Sequence, residues 1–337
     1  MTYQIRVAQS DIAFDCEPGT TILDAARKHG YELPYSCRNG ICGSCKGRIL
    51  SGSVQAAGAS EALSREEEAQ GYALFCRACP SSDVEIGARS ISKLDPNAHR
   101  SINAKVHKLT RAADDVTVLQ LRFPAGARVR FKAGQYLQVL MADGSRRSFS
   151  MANPPQQNDG AQLHIRHMPG GRFSSYLESG AAVGDIVSLE MPFGNFYLRD
   201  GDKPLVFVAS GTGFAPIKSI LEEMFKRGKP QRPIALYWGA RRKADLYMAD
   251  LPQKWARQYP ENFRFIPVLS EEQDAECRFG LVHRAVMEDF PSLAGQEVYA
   301  CGAPGMITAA RVDFIGQCGL PADSYYCDAF VTEAAQD

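Results

Sequence analysis

Hydrophobic and polar positions change rhythm twice along this chain. Near its start they alternate in YQIRVA and IAFDCE, the period-two pattern of strands with one buried face. TILDAARKHG then takes up helical spacing, with Thr21 and Asp24 placed as in a capping box and Gly30 at the stop. LSREEEAQG predicts a second short helix, with Ser64 and Glu67 repeating the cap spacing, followed by FCRACP and the strand DVEI. From residue 103 to 200 alternating runs dominate: DVTVLQLRF, QYLQVLM, SRRSFSMA, QLHIRHM and DIVSLEM. Asp143-Gly144 sits between two of them as a hairpin turn, and the spacing predicts an antiparallel barrel. Beyond Gly201 the strands become continuously apolar, PLVFVA, PIALYW, FRFIPVL and EVYAC, and alternate with helices such as IKSILEEMFKRG and GMITAARVDFIGQ. That rhythm predicts a parallel sheet covered on both faces.

The polar run SISKLDPNAHRSI, with Pro96 and no sustained period, reads as a linker. The expected organisation is a cysteine-bearing module over 1–90, a linker over 91–102, a barrel over 103–200 and a doubly wound domain over 201–337. A chain of 337 residues suits two or three cores. Lysine plus arginine equals aspartate plus glutamate, 38 each, which leaves no basic surplus to recruit nucleic acid. MTYQIRVAQSDIAF lacks the apolar core of a secretory signal, and PLVFVA is far too short to span a bilayer. A cytoplasmic protein with no membrane association is expected, and nothing demands more than a monomer. In that compartment ten cysteines point to metal ligands or catalytic groups rather than a disulfide framework.

Three of those cysteines, Cys37, Cys42 and Cys45, follow C-x4-C-x2-C, with Cys76 further along. This is the plant-type spacing for a 2Fe-2S cluster. Thiolates that converge on two irons need a tightly wrapped loop, and Gly40, Gly43 and Gly47 are placed where a side chain would crowd the sulfurs. Backbone amides of such a loop can point inward at the anionic cluster. The alternative is a zinc knuckle completed by Cys76 and Cys79, although zinc has no use for Cys37. On the cluster reading Cys79 is spare, buried or near the cluster. Cys16, Cys277, Cys318 and Cys327 read as small buried hydrophobes.

ASGTGFAP follows a buried strand and opens a helix, so amides of Gly211, Thr212 and Gly213 can face a pyrophosphate. Pro216 stands where a third glycine would be and suits a first helical turn. A plain strand-to-helix turn is the alternative. RRSFSMAN offers Arg147 to a second phosphate, and HMPGGRFSSYL leads through Gly170 and Gly171 into a helix start carrying Ser174 and Ser175. A solvated arginine and an ordinary helix cap are the competing readings there.

With these motifs in order, residues 1–90 resemble a plant-type ferredoxin and 103–337 the ferredoxin-NADP reductase superfamily. The combination resembles the one-component iron–sulfur flavoprotein reductases of bacterial oxygenases, of the terephthalate and naphthalene dioxygenase reductase type. VYACGAPGMITAARVDFI and CDAF also resemble CDP-6-deoxy-delta-3,4-glucoseen reductase, a deoxysugar enzyme of the same architecture. The resemblance implies a multidomain α+β and α/β chain: a β-grasp 2Fe-2S ferredoxin domain, an antiparallel FAD-binding β-barrel and a parallel-sheet α/β NAD-binding domain.

The family's R-x-Y-S run falls on Arg147, Ser148, Phe149 and Ser150, with phenylalanine keeping a ring for the flavin but lacking the hydroxyl. The resemblance places Ser150 near the flavin N5, His164 and Arg166 along the next strand, and Gly170, Gly171, Phe173 and Ser174 at the pyrophosphate. Gly211, Thr212, Gly213 and Pro216 match the pyridine-nucleotide loop, with Gly239, Arg241 and Met306 nearby. Cys301 and Gly302 lie beside the nicotinamide, and Phe330 covers the open flavin face. Ser150, Cys301 and Phe330 thus become the candidate catalytic residues, and Cys37, Cys42, Cys45 and Cys76 the metal ligands. Arg241, Arg242 and Lys243 could hold a 2'-phosphate, yet the resembling enzymes mostly use NADH, so NADH is expected ahead of NADPH.

The implied activity carries electrons from NADH through FAD to the cluster and on to a redox partner protein. An oxygenase component is the expected partner, a sugar-nucleotide dehydratase the alternative. A non-catalytic redox sensor holding the same cofactors is the competing class.

Overall fold

The alternating start of the chain forms a hairpin, Tyr3–Val7 against Ala13–Cys16, with Ile5 and Phe14 paired across it and both buried. The fold, obtained as a computed structural model, describes residues 2–58, 61–95 and 99–331 and divides into two compact units, Met1–Ala98 and His99–Asp337.

In the first unit a five-stranded sheet runs in the order Ala13–Cys16, Tyr3–Val7, Val84–Gly87, Lys46–Ser51, Tyr72–Leu74. Tyr3–Val7 and Val84–Gly87 are parallel and every other pair is antiparallel. Helix Ile22–Lys28 begins where Thr21 Oγ1 accepts the Asp24 N–H, and it buries Ile22, Leu23, Ala25 and Ala26 in a core shared with Ile5, Phe14, Phe75 and Ile86. Ser64 and Glu67 form a reciprocal capping box at the head of Arg65–Ala69. Part of the stretch expected as a linker is paired: Ser92–Lys93 lies antiparallel to Tyr31–Glu32, and Leu94 N–H donates to the Gly30 carbonyl. Pro96 lies outside the described residues.

The second unit opens with six antiparallel strands in the order Arg146–Ser150, Tyr136–Leu140, Ile186–Phe193, Arg100–Ala113, Val116–Arg122, Gly160–Arg166. A bridge between Met151 and Leu163 joins the two outer strands and closes the sheet into a barrel. Its interior holds Val106, Leu119, Leu137, Val139, Leu163, Leu189 and Met191. The Asp143-Gly144 turn connects the first pair as the sequence predicts, with Met141 N–H donating to the Ser145 carbonyl.

Six parallel strands follow, in the order Arg278–Phe279, Phe263–Leu269, Ile234–Ala240, Leu205–Ser210, Glu297–Gly302, Tyr325–Ala329. Leu205–Ser210 is the first of these in the chain but sits inside the sheet. The order therefore reverses beside it, and a crevice opens at the carboxyl ends of Leu205–Ser210 and Glu297–Gly302, the usual place for a ligand in an open α/β sheet. Among the described residues no helix is long and apolar enough to cross a membrane.

At the opposite end of this sheet Arg232 and Glu297 form a buried ion pair at 2.7 Å, and Arg232 also donates to the carbonyls of Lys203 and Arg199. Removing one partner leaves the other charge buried and uncompensated. Glu297→Ala is expected to lower the unfolding free energy of the reductase by about 3–5 kcal/mol. Adding Arg232→Met to that variant is expected to recover part of the loss. Denaturant midpoints of the three proteins test this, and a double variant no more stable than Glu297→Ala would refute it.

Candidate functional site

The cysteine loop wraps because three of its residues adopt left-handed backbone: Arg38 at φ 59°, Gly40 at 78° and Gly43 at 70°. The four candidate ligands fall into two pairs. Cys45 and Cys76 have their sulfurs 3.2 Å apart. Cys37 and Cys42 are joined by amides: Cys37 N–H donates to Cys42 Sγ at 3.4 Å and Cys42 N–H to Cys37 Sγ at 3.3 Å. Asn39 N–H adds a third such bond, to Cys37 Sγ.

Within each pair the hydrogen bond between the sulfurs favours one thiolate: Cys37 and Ser44 hold Cys42 below the ordinary thiol range, and Cys45 lowers Cys76. Metal ligation needs thiolates, and four sulfurs set in two adjacent pairs fit a centre with two irons. Among the described residues no group of three or more His, Cys, Asp or Glu converges on a single ion. Cys79, which the zinc alternative enlists, instead donates to the Gly19 carbonyl at 3.5 Å and neighbours Cys16.

Gly47 corrects the expectation that all three loop glycines make room for sulfur. A Cβ there would fall 2.2 Å from the Phe75 ring and 2.8 Å from the Gly87 carbonyl, so this glycine serves the packing of the sheet. Cys16, Cys318 and Cys327 are buried as expected, whereas Cys277 is half-buried beside Asp274.

In the second unit the barrel and the parallel sheet meet at the crevice. Gly211, with φ 53°, turns the chain from strand Leu205–Ser210 into the short turn Gly211–Gly213 and then helix Phe214–Lys226, where Pro216 occupies the first turn. Two close approaches fix the turn against the next strand: a Cβ on Gly213 would fall 2.1 Å from the Cys301 carbonyl, and one on Gly302 2.2 Å from Ser210 Oγ. Cys301 is fully buried, and burial raises its thiol well above the ordinary range. Phe330 is anchored beside it, its N–H donating to the Gly302 carbonyl.

From the barrel, strand Gly160–Arg166 sends Gln162, His164 and Arg166 to one face. Arg166 pairs with Asp115 at 3.0 Å and passes so close to the nucleotide loop that a Cβ on Gly211 would lie 2.9 Å from its Nη1. His164 Nε2, Gln162 Oε1 and Ser150 Oγ are buried with no hydrogen-bond partner. Buried polar atoms are rarely left so in a finished structure. Three of them on the face expected to hold FAD fit a cofactor that supplies the missing partners.

The other predicted residues divide. Arg147 and Phe149 share the opposite face of Arg146–Ser150, and the Phe149 ring lies 5.3 Å from that of Phe173. Ser148 is exposed and Met306 half-buried. Phe173 is buried in the barrel core, so its ring serves packing rather than the surface of a phosphate site. Gly171 caps helix Arg172–Ser179 beside Gly170, but Ser174 turns its hydroxyl back to the Gly171 carbonyl at 2.9 Å, and of the two serines at that helix start Ser175 is the exposed one. Gly239 is explained by helix packing, since a Cβ there would meet Val282 Cβ at 2.8 Å. Arg241 is exposed, while Lys243 is held by Asp274 and Glu276 at 2.8 and 2.9 Å.

Sequence reasoning missed Tyr247 and Lys218. Tyr247 puts its hydroxyl 2.8 Å from His164 Nδ1. Lys218, buried on helix Phe214–Lys226, donates to the Ala152 carbonyl at 3.0 Å and pairs with Glu222. The polar run GARRKADLY gave no hint that its last residue turns inward.

A paired-cysteine loop, a barrel face with unpartnered buried polar atoms and a nucleotide crevice together fit a pyridine-nucleotide-dependent iron–sulfur flavoprotein. Family models agree: a 2Fe-2S iron-sulfur cluster binding domain matches residues 5–81, an oxidoreductase FAD-binding domain 103–197 and an oxidoreductase NAD-binding domain 207–312. The chain is 43% identical to the reductase component 2 of terephthalate 1,2-dioxygenase from Comamonas sp, over 98% of each chain. It is 36% identical to the CDP-6-deoxy-L-threo-D-glycero-4-hexulose-3-dehydrase reductase of Yersinia pseudotuberculosis, over 98% of this chain and 99% of that one. Among solved structures it is similar to the Amycolatopsis reductase GcoB, with a TM-score of 0.75 and 35% identity over 98% of this chain and 99% of that one. The chain belongs to the one-component iron–sulfur flavoprotein reductases of the ferredoxin-NADP reductase superfamily. It is an oxidoreductase that moves electrons between a nicotinamide nucleotide, FAD and a 2Fe-2S cluster.

The pairing of the cysteines yields a direct test. Cys42→Ser and Cys76→Ser are expected to abolish the visible absorption and iron content of the cluster while leaving the flavin bound. Cys79→Ser is expected to keep both. Loss of iron from the Cys79 variant would instead bring that residue into the ligand set.

Proposed function

We propose that this reductase uses NADH and delivers single electrons from its cluster to the terminal component of an oxygenase, acting as a cytoplasmic monomer organised as modules 1–90, 103–200 and 201–337. The observation that carries the reading is the junction where Cys301, Arg166 and the Gly211–Gly213 turn meet beside the unpartnered Ser150 and His164. The relatives with the greater identity are oxygenase reductases, which favours an oxygenase over a dehydratase as the acceptor.

FAD, when bound, accepts electrons in a pair from the nicotinamide nucleotide and releases them one at a time to the cluster. In this reading Ser150, His164 and Arg166 hold the flavin nucleotide on the barrel, with Arg147 reaching a phosphate from the other face of strand Arg146–Ser150. Gly211, Thr212 and Gly213 would offer backbone amides to the nicotinamide nucleotide's pyrophosphate, and Cys301 and Gly302 would flank its nicotinamide. Phe330, tied to Gly302, covers the flavin side of the crevice. Asp274 and Glu276 hold the Lys243 ammonium and Glu272 accepts the Lys243 backbone N–H, which occupies one of the three cations, Arg241, Arg242 and Lys243, that a 2'-phosphate would use. That charge pattern supports NADH.

Anaerobic stopped-flow mixing tests both the chemistry and the nucleotide. NADH is expected to bleach flavin and cluster bands in sequence, with a specificity at least about tenfold above NADPH. Cys301→Ala is expected to slow flavin reduction about ten- to a hundredfold with the cluster spectrum intact. Equal reduction by the two nucleotides would reject the NADH assignment, and an unchanged rate in the variant would remove Cys301 from the site. A redox sensor, by contrast, would turn over slowly with every acceptor offered, dyes included.

The acceptor is identified by crosslinking the NADH-reduced protein in its native cell extract and sequencing the attached chain. Recovery of an oxygenase component is expected. Recovery of a sugar-nucleotide dehydratase would reassign the enzyme to deoxysugar reduction.

A further inference from the structure

We propose that Tyr247 is a positioning residue for the flavin nucleotide: its hydroxyl donates to His164 Nδ1 and thereby fixes His164 as an Nε2–H hydrogen-bond donor toward the cofactor. The two residues are 83 positions apart, one on barrel strand Gly160–Arg166 and the other just beyond the turn Lys243–Asp245 of the nucleotide lobe, and their polar atoms are 2.8 Å apart. The Tyr247 ring has little freedom. It meets Trp238 edge-on at 5.2 Å, and Trp238 in turn stacks on Phe214 at 4.0 Å and donates from Nε1 to the Gly211 carbonyl at 3.0 Å. Tyr247 is therefore built into the same packing that shapes the nucleotide loop.

The direction of the bond follows from counting donors. The His164–Tyr247 contact is the only hydrogen bond either side chain makes among the described residues, and His164 Nε2 is buried without a partner. If Nδ1 carried the proton, the Tyr247 O–H would have no protein acceptor, and Nε2 would be a buried lone pair facing nothing. If Tyr247 donates, the phenol is satisfied as a donor and only an unused oxygen lone pair remains, which proteins tolerate more readily than an orphaned donor. The single unsatisfied group is then Nε2–H, beside the other unpartnered atoms of the flavin face, Gln162 Oε1 and Ser150 Oγ.

The surroundings keep both groups neutral. Burial, and secondarily the charge of Lys218, holds the His164 imidazolium down to about 3, and burial pushes the Tyr247 phenol far up despite Arg166 nearby. His164 is thus an uncharged donor of fixed orientation, the same logic by which outer hydrogen bonds set the tautomer of a metal-bound histidine.

The inference rests on the placing of FAD against His164. Selective 15N labelling of the six histidines, with His164→Gln assigning the resonance, reads the tautomer directly in protein with and without FAD. Nε2–H is expected in the wild type, with its signal moving when FAD binds. Tyr247→Phe keeps the ring against Trp238 but removes the donor. It is expected to give a mixed tautomer and to raise the FAD dissociation constant about three- to tenfold, the worth of one neutral hydrogen bond. His164→Gln, which can still donate from its amide, is expected to bind FAD more tightly than His164→Leu. An Nδ1–H tautomer in the wild type, or a Tyr247→Phe protein with unchanged tautomer and FAD affinity, would overturn the proposal. An Nε2–H signal indifferent to FAD would instead remove the flavin from His164 and defeat the site assignment as well. Should Tyr247→Phe fail to fold, the wild-type tautomer decides alone.

Discussion

A buried ammonium holds the larger unit in register. Lys218 lies on the first turns of helix Phe214–Lys226, almost wholly out of water, and is stabilised by the Ala152 carbonyl at 3.0 Å and the Glu222 carboxylate at the same distance. Its neighbour Ser219 donates to the Asn153 carbonyl at 2.7 Å. An unpaired charge in such a place costs several kcal/mol, roughly, so the helix tolerates little sliding relative to the barrel turn. The same helix begins at the nucleotide loop. Pinning it to the barrel therefore sets the distance between the loop that receives a nicotinamide nucleotide and the strand that receives a flavin. Electron transfer between stacked rings depends on that distance more than on any single reactive side chain.

The cluster loop meets a different constraint within the first unit. Its ligands are local in sequence, except for Cys76, and are brought together by left-handed turns and by amides aimed at sulfur. Cys76 arrives because Phe75, its neighbour in the chain, is a core residue: Phe75 N–H donates to the Cys45 carbonyl and its own carbonyl accepts from Leu23 N–H. The hydrophobic core of this small unit and the fourth ligand are thus placed by the same residue pair. Gly47 belongs to this arrangement, since only hydrogen in place of its side chain lets the Phe75 ring close over the sheet.

These two sites show why one part of the chemistry could be read from sequence and another could not. Cysteine spacing is a local code, and C-x4-C-x2-C implies convergent thiolates whatever the rest of the chain does. Strand rhythm likewise separates barrel from parallel sheet, because a period of two and a continuous apolar run report different burial. Glycines were harder. Gly213 and Gly302 serve the crevice, Gly239 and Gly47 serve packing, and nothing beside them in sequence tells the two uses apart. Tyr247 was not legible at all, since its partner lies 83 residues away on another sheet and its neighbours are the exposed cations Arg241, Arg242 and Lys243. Lys218 shared that fate: on an amphipathic helix a lysine reads as solvated, and only the tertiary contact with Ala152 reveals it as buried.

The protonation states around the crevice bear on what kind of enzyme this architecture permits. Cys301 is kept a thiol by burial, His164 a neutral imidazole and Tyr247 a phenol. Arg166 carries charge but has Asp115 beside it, and Lys218 has Glu222. None of these groups is tuned as a general base or a nucleophile near neutral pH, where catalytic pKa values must lie to be useful. For acyl transfer or hydrolysis such a site would be inert. For moving electrons between bound rings it is well suited, because neutral or ion-paired groups held in place need little reorganisation when charge passes between cofactors, and the protein's contribution reduces to holding the rings at a fixed separation. The burial that disables these side chains as acids and bases is thus what makes the crevice an electron-transfer site.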